Sequence, residues 1–316
     1  HRDLHSFPTR RSSDLVGLAL LGKGGQLGLV VPSGLYTDKG TGDLRKLLLY
    51  GCRWRWLYGF ENRNKLFDIH RSFKFCVTIA EKGGRTEAIQ AAFMRHDLED
   101  WATAKGALAY PAERVKAFSP KSLSVLEIRS EKDLEVLTKI YANSVLLGDD
   151  GPDGWGIRYA REFDMTNDSK LFIPRDKAER EGFKPDIYGR WVNEAGEVLL
   201  PLYQGAMIWQ FDPFYQQDLE RPFIFRTPNY LIKSGDIGLC PVGRIAFRDV
   251  QNHMNQRTFI GTILSLFPAG NTVPVLSSKN STYNPHLLAA LCSFPCDSAL
   301  RTKMSQNHVN WFYAEE

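Results

Sequence analysis

The first third of the chain alternates short apolar runs with turn-forming residues. Residues 27–31 form an apolar run closed by Pro32, which is typical of a buried strand that leaves its sheet at the proline. Residues 54–60 and 73–79 each place bulky apolar side chains at every second position, and this period of two predicts two strands. The connection between them, residues 61–72, is too long for a tight hairpin turn, and loops of that length are often functional.

Leucines at helical spacing predict two helices. Residues 42–50 follow Thr41, an N-cap residue type, and precede Gly51, which suits a C-terminal cap. Ser130 suits the N-cap of the second helix, whose apolar stripe consists of Leu134, Leu137, Ile140 and Tyr141. A strand, a helix, a strand and a late antiparallel strand, in that order, predict the end of an open α/β sheet.

The remaining pattern is less regular. Residues 86–125 predict a connecting helical stretch with a break at Ser119-Pro120. Between residues 199 and 294 the pattern predicts short β segments separated by prolines, and then a helix that begins near Pro285. The second part of the chain is therefore expected to be mixed α+β.

Composition and charge narrow the class of protein. The 316 residues, 43% hydrophobic and 24% charged, are typical of a globular protein long enough for two domains. No apolar run approaches the length of a membrane span, and no secretory signal is visible. Five cysteines without a CxxC pair indicate a reducing cytoplasm. The net charge is +7 over residues 16–125, −8 over 126–220 and +4 over 221–316, so a polyanion is expected to contact the two basic regions.

The first fifteen residues differ in kind from the rest. Their opening HRDL matches the start of a protein-kinase catalytic loop, but the asparagine that should follow is absent. The whole string HRDLHSFPTRRSSDL resembles the translation of a widely used sequencing adapter. We therefore expect residues 1–15 to be a non-native segment, and the native sequence to start near Val16.

Several stretches, taken together and in order, resemble the C-terminal half of large adenine-specific DNA methyltransferases of the type IIG restriction–modification group and of related phage-defence methylases. The stretches are GGQLGLVVPSGLYTDKGTGDLRKLLL (24–49), FENRNKLFDIHRSFKFCVTIAEKGG (60–84), GDDGPDGWGIRYAREFDMTNDSKLF (148–172), PLYQGAMIWQFD (201–212), RIAFRDVQNHMNQRTFIGTIL (244–264) and LRTKMSQNHVNWF (300–312). The resemblance implies that residues 16–125 are the truncated end of a Rossmann-like, S-adenosylmethionine-dependent methyltransferase sheet. It also implies that residues 126–316 are most of a target-recognition domain.

The resemblance further implies methyl transfer from S-adenosylmethionine to the amine of an adenine that has left the double helix. In the family an aromatic residue stacks on this base, and by position that residue is Phe67. The family's Phe-x-Gly-x-Gly cofactor loop and its Asn-Pro-Pro-aromatic tetrapeptide lie upstream of the matching part, and neither occurs in this sequence. The chain alone is therefore expected to transfer no methyl groups.

One segment mimics the missing tetrapeptide. Residues 212–215, Asp-Pro-Phe-Tyr, follow an apolar run but carry Phe in place of the second Pro, and they come after Phe67 in the chain. They are catalytic only if the family order is permuted; the other interpretation is a turn that ends a strand. The spacing of cysteine and histidine predicts no metal site.

Double-stranded DNA is the expected partner. Arginine reads guanine, and asparagine or glutamine reads adenine, in the major groove. The candidate DNA-binding residues are Arg71, Lys74, Arg244, Arg248, Asn252, Gln256 and Arg257. For the cluster between residues 244 and 257, the alternative is a polar surface on which Arg248 pairs with Asp249. For the whole chain, the alternative is a stand-alone, non-catalytic DNA specificity subunit that serves separate partner chains.

Overall fold

A computed structural model describes most of the chain, namely residues 17–215, 228–237, 243–250, 255–264, 266–304, 308–309 and 311–316. The expected adapter-derived segment, residues 1–15, lies outside the described residues. Two compact units divide after Ser144: unit 1 precedes this point and includes Glu316, and unit 2 is Val145–Glu315. The sequence predicted a domain boundary near residue 125. In the structure, the helix that follows Ser130 belongs to unit 1. The architecture is mixed α/β with three sheets.

Unit 1 is built on a five-stranded sheet of order β1-β3-β2-β4-β5. The strands are β1 (Gln26–Pro32), β2 (Cys52–Glu61), β3 (Lys74–Lys82), β4 (Ala88–Arg95) and β5 (Leu108–Pro111). β3 pairs antiparallel with both β1 and β2, so those two strands run in the same direction. The three strands expected from the apolar pattern are confirmed, including the late antiparallel one.

The helices of unit 1 with both ends inside the described residues are α1 (Gly34–Thr37), α2 (Gly42–Tyr50), α3 (Leu98–Ala102), α4 (Ala112–Phe118) and α5 (Glu131–Ala142). α2 has the predicted bounds, and Ser130 caps α5 as predicted by accepting the Asp133 amide at 3.2 Å. Thr41 stands at the N-cap of α2 without capping it. Its hydroxyl instead donates to the Gly34 carbonyl and accepts from buried Arg45, because burial leaves that guanidinium in need of acceptors.

The expectation of a helical stretch over residues 86–125 is wrong in its first half. β4 and β5 occupy that part, and the helices there, α3 and α4, are short. β4 pairs in parallel with β2 and antiparallel with β5, so neighbouring strands satisfy its backbone groups. Alanine-rich residues 88–92 have helix propensity, but propensity is a weak preference that tertiary pairing overrides.

Unit 2 contains two sheets, of order β7-β11-β10-β9-β8 and β13-β12-β14-β6. The strands are β6 (Arg158–Ala160), β7 (Ile173–Pro174), β8 (Lys184–Pro185), β9 (Trp191–Val192), β10 (Val198–Pro201), β11 (Tyr230–Lys233), β12 (Arg244–Phe247), β13 (Gly261–Leu264) and β14 (Val275–Ser277). The helices are α6 (Arg175–Arg180), α7 (Asn284–Leu291), α8 (Phe294–Lys303) and α9 (Trp311–Ala314). β10 to β14 confirm the short β segments predicted after residue 199, whereas β6 to β9 precede that region and were not predicted.

The helix expected near Pro285 is α7. Its three leucines, Leu287, Leu288 and Leu291, are buried in one core cluster with Ile245 and Phe247 of β12. Apolar burial on this scale is the main favourable contribution to the folding of unit 2. Within the described part of the chain, no helix is long and apolar enough to span a membrane.

Candidate nucleic-acid interface

The loop that carries Phe67 closes the pair formed by β2 and β3. Glu61 at the end of β2 lies opposite Lys74 at the start of β3, so residues 62–73, the Phe67 loop, project from one end of this strand pair. A single 3-10 turn, Asn62–Asn64, begins the loop. The Asn62 amide donates to the Phe73 carbonyl at 2.9 Å and joins the two ends of the loop.

Asn62 organises the loop from inside. Its side chain is fully buried, at 0% exposure. Oδ1 accepts the Phe67 amide at 3.0 Å, and Nδ2 faces the carbonyls of Phe67, Ile69 and His70 at 2.9, 3.0 and 3.3 Å. The two amide protons are thus shared among three acceptors. The sequence analysis missed this residue, although an asparagine directly after an apolar strand is typical of a turn-forming side chain.

Phe67 lies at the surface of unit 1, and its ring contacts the ring of Phe75. Its residue is 46% exposed, and its ring meets Phe75 of β3 in a T-shaped contact, with centroids 5.0 Å apart. Phe75 in turn stacks on Phe60 of β2 at 5.2 Å. An aromatic ring held in this way by two strands keeps its orientation while a large part of its surface stays open.

The Phe67 loop combines cations with exposed apolar side chains. Arg63, Lys65 and Arg71 are exposed, and within the described residues no ion pair engages them. Ile69 and Phe73 are exposed as well. This combination matches a surface that meets both phosphates and bases.

Lys74, by contrast, has a structural role where a DNA contact was expected. Its ammonium pairs with the Glu127 carboxylate at 2.8 Å, and the other oxygen of that carboxylate accepts the Tyr36 hydroxyl at 3.0 Å. Lys74 and Glu127 are both largely shielded from water. The ammonium is therefore committed to holding the start of β3.

Arg53 and Arg55 are committed to an ion pair in a similar way, but at the surface. Both guanidiniums bond the Glu81 carboxylate, at 2.5 and 2.6 Å. The hydrogen bonds from Arg55 and Arg53 hold the pKa of Glu81 below its usual range. Arg53 and Arg55 are therefore less available to a polyanion than the exposed cations of the Phe67 loop.

In unit 2, Arg244 is corrected from a base-reading candidate to a core residue. It is 1% exposed, and its guanidinium forms a two-point ion pair with Glu162 at 2.6 and 3.0 Å. Nη2 also donates to the Phe267 carbonyl. A buried guanidinium with these partners has no surface to offer to a base edge.

Arg248 lies on an aromatic pair. Its guanidinium carbon is 4.4 Å from the Trp209 ring centre and 5.6 Å from that of Tyr215, and these two rings stack on each other. Nε donates to the Ile208 carbonyl at 2.9 Å. The pairing expected between Arg248 and Asp249 is replaced by other partners of that carboxylate, which binds Arg161 and His308.

Arg257 and Gln256 remain close to the surface. The Arg257 guanidinium lies 3.9 Å from the ring centre of Phe294, a residue that is 76% exposed. The Gln256 side chain belongs to an exposed residue, while its carbonyl accepts from Arg301. Asn252 lies outside the described residues. The structure therefore places Arg257 with an aromatic ring, and Arg244 and Arg248 elsewhere in the packing of unit 2.

The tetrapeptide-like segment forms a turn. Trp209 and Asp212 exchange two backbone hydrogen bonds, and Phe211 between them adopts a left-handed φ of 63°. The Asp212 carboxylate accepts the Phe214 amide at 2.8 Å, two residues further along. This is the local bonding of a turn-forming aspartate, and it supports the interpretation of residues 212–215 as a turn.

The described residues offer no suitable set of groups for a metal ion or for S-adenosylmethionine. The described residues include no cluster of three or more His, Cys, Asp or Glu side chains. Burial raises the pKa of Cys292 and of Cys296 to about 11, so both stay as neutral thiols, which are poor metal ligands. A small cavity in unit 1 is lined by apolar side chains and Thr78, and it offers no partner for the charged groups of S-adenosylmethionine.

No protein-family model and no curated protein matches the chain. Three solved structures of restriction–modification proteins are similar to it. A chain of a type I system has 14% identity and a TM-score of 0.28, covering 38% of this chain and 33% of that one. The type IIG restriction endonuclease BpuSI has 10% identity and a TM-score of 0.36, covering 95% and 40%. The type IIL restriction–modification enzyme MmeI, solved in complex with DNA, has 11% identity and a TM-score of 0.43, covering 85% and 35%.

The chain thus spans between 33% and 40% of the length of these structures. At these low identities and TM-scores, the likeness does not transfer a function to this chain, and a function must be argued from the residues of the chain itself.

Proposed function

We propose that the chain is part of a site-specific, adenine-specific DNA methyltransferase of a restriction–modification or phage-defence system, and that it contributes DNA recognition. The observation that carries the proposal is the presentation of Phe67. Its ring is half exposed and in T-shaped contact with Phe75, on a loop whose cations have no ion-pair partner among the described residues. A flipped adenine needs a ring to stack on, and the Phe67 loop offers one.

The domain assignment follows the sequence resemblance. Residues 16–125 form the end of the methyltransferase domain, residues 126–316 form the target-recognition domain, and residues 1–15 are not native. The antiparallel pairing of β3 with β1 and with β2 supports this assignment, because the sequence pattern predicted a late antiparallel strand after a strand, a helix and a strand.

The proposed DNA interface is narrower than the set of candidates from the sequence. Phe67 and Arg71 form its unit 1 part, and Lys74 supports the strand behind them. In unit 2, the proposed DNA contacts are Asn252, Gln256 and Arg257. The part of the Arg248 guanidinium that Trp209 and Tyr215 do not cover is a further proposed contact. Arg244 holds the core of that unit and takes no part.

The parent enzyme uses S-adenosylmethionine, which supplies the methyl group. The glycine-rich loop that holds this cofactor in the family is missing from the sequence, and a small cavity among the described residues of unit 1 has a lining of apolar side chains and Thr78 that does not suit the cofactor's charged groups. No catalytic step is therefore assigned to this chain. Its own contribution is to bind DNA and to stack on the extruded base.

Replacing the stacking ring tests the proposal. Phe67→Ala should weaken binding to a duplex with one mismatched adenine by roughly fivefold to a hundredfold, because base stacking contributes ~1–3 kcal/mol. Binding to the fully paired duplex should change much less, since the base stays inside the helix. Fluorescence anisotropy on the two duplexes gives both constants.

Ile69→Ala is the matched control, because Ile69 lies in the same loop with similar exposure but has no ring. Equal losses on the two duplexes, or an equal effect of Ile69→Ala, would reject the stacking role.

The coding DNA upstream of Val16 distinguishes the methyltransferase from the alternative, which is a stand-alone specificity subunit. A continued frame with the cofactor loop and the tetrapeptide supports the enzyme, and a start codon there supports the subunit.

A further inference from the structure

The Phe67 loop is organised by one buried side chain. A loop whose tip is exposed normally samples many backbone conformations, and ordering costs ~1–2 kcal/mol per residue. Here Asn62 provides the order, since its carboxamide bonds the backbone of Phe67 on both sides and reaches Ile69 and His70. The carboxamide is fully buried, so water does not compete for these bonds.

The chemistry of the contact requires an amide. Three carbonyl oxygens face Nδ2 and one N–H faces Oδ1, which fixes the orientation of the group. A carboxylate of the same shape would place an oxygen against three carbonyl oxygens and would repel them. Lys65, which follows the 3-10 turn, adopts a left-handed φ of 54°, a conformation that a non-glycine residue keeps only where its surroundings impose it.

We propose that Asn62 is the positioning residue for base stacking: it holds the Phe67 loop in its presenting form before DNA binds. This inference rests on the proposed function for its consequence, but not for the loop order itself. Because the ring is already in place, the extruded base does not have to order the loop, and more of the stacking free energy is available for binding.

The test uses the full chain and the isosteric variant Asn62→Asp. A second asparagine of the same 3-10 turn gives the control Asn64→Ala, which removes an exposed carboxamide that bonds the Asp97 side chain and, among the described contacts, no backbone group of the loop. Trypsin reports on loop order, because Lys65 and Arg71 are cleavage sites inside the loop. Native-state cleavage follows the population of locally opened forms.

We expect Asn62→Asp to increase the cleavage rate at Lys65 and Arg71 by about tenfold, which corresponds to ~1.4 kcal/mol of local opening. It should also reduce the preference for the mismatched-adenine duplex to the level of Phe67→Ala, while Asn64→Ala changes neither. Unchanged cleavage in Asn62→Asp would overturn the proposal. If Asn62→Asp opens the loop but Phe67→Ala has no effect on binding, the positioning stands and the stacking function fails.

A measurement on the unmodified chain covers the case in which Asn62→Asp does not fold. The Phe67 amide is bonded to buried Asn62 Oδ1, so its hydrogen exchange should be at least about tenfold slower than that of the neighbouring Asp68 amide, after correction for intrinsic rates. Equal exchange at the two amides would show that the loop is not held, and would reject the role of Asn62.

Discussion

The two basic regions of the chain use their cationic side chains differently. In unit 1, Arg63, Lys65 and Arg71 stand on the exposed Phe67 loop. In unit 2, the segment with the highest density of base-reading residue types uses Arg244 in a buried ion pair and Arg248 on an aromatic pair. Arginines thus lie open to solvent on the Phe67 loop of unit 1, whereas Arg244 and Arg248 of unit 2 bond groups within their own unit.

A high density of arginine and asparagine in the sequence therefore does not show which of these side chains are exposed and which bond other groups of the protein. A guanidinium has five donors, and in a packed domain these donors are as useful for carbonyls and carboxylates as for bases. In the Phe67 loop the internal donors come from one asparagine instead, so the cations are left at the surface. Substitutions of these arginines are expected to differ in effect, from a large loss of stability to a small change in the salt dependence of binding.

The largest effect is expected for Arg244→Ala. Removing the guanidinium leaves the shielded Glu162 carboxylate without its cation, which should lower the free energy of unfolding of unit 2 by about 3–5 kcal/mol. Urea unfolding followed by circular dichroism measures this change. Arg180→Ala removes an exposed ion pair with Asp176 in the same unit and should cost less than about 1 kcal/mol. If the two variants unfold at the same urea concentration, Arg244 is not a core support.

A smaller and more local effect is expected for Arg257→Ala. If Arg257 reads a guanine edge, its loss should relax the preference at one base position and cost ~1–3 kcal/mol there. Binding to a library of duplexes randomised in sequence shows which positions change. Arg257→Lys keeps the charge without the two-point fork, so it should resemble Arg257→Ala in preference. A uniform loss on all sequences would make Arg257 a phosphate contact.

The smallest effect is expected for Arg71→Ala. If Arg71 neutralises one phosphate, the slope of log affinity against log salt should become less steep by about 0.9. Titrations at several salt concentrations give this slope. Arg53→Ala should leave the slope unchanged, because Arg53 is already paired with Glu81. Equal changes in both variants would mean that the ion pair with Glu81 does not keep Arg53 from contacting phosphate.

Much of the fold was predictable where one local pattern dominated. The period of two along β2 and β3 and the leucine stripe of α2 each specify which face is buried, and the structure has all three elements. The error over residues 88–95 has the opposite origin. These residues have no strong alternation, and their strand forms because β2 and β5 supply hydrogen-bond partners that lie far away in the sequence.

The sequence by itself determined β1, α2, β2, β3 and α5 of unit 1, the helix α7 of unit 2, and the position of Phe67 on a long loop between two strands. Tertiary structure alone decided which polar side chains face water. Arg244 and Arg71 are the same residue type, yet one is buried at the start of β12 beside Glu162, and the other is exposed on the Phe67 loop. The physical reason is that a buried charge must find a partner within the fold, and such partners are brought together only by folding.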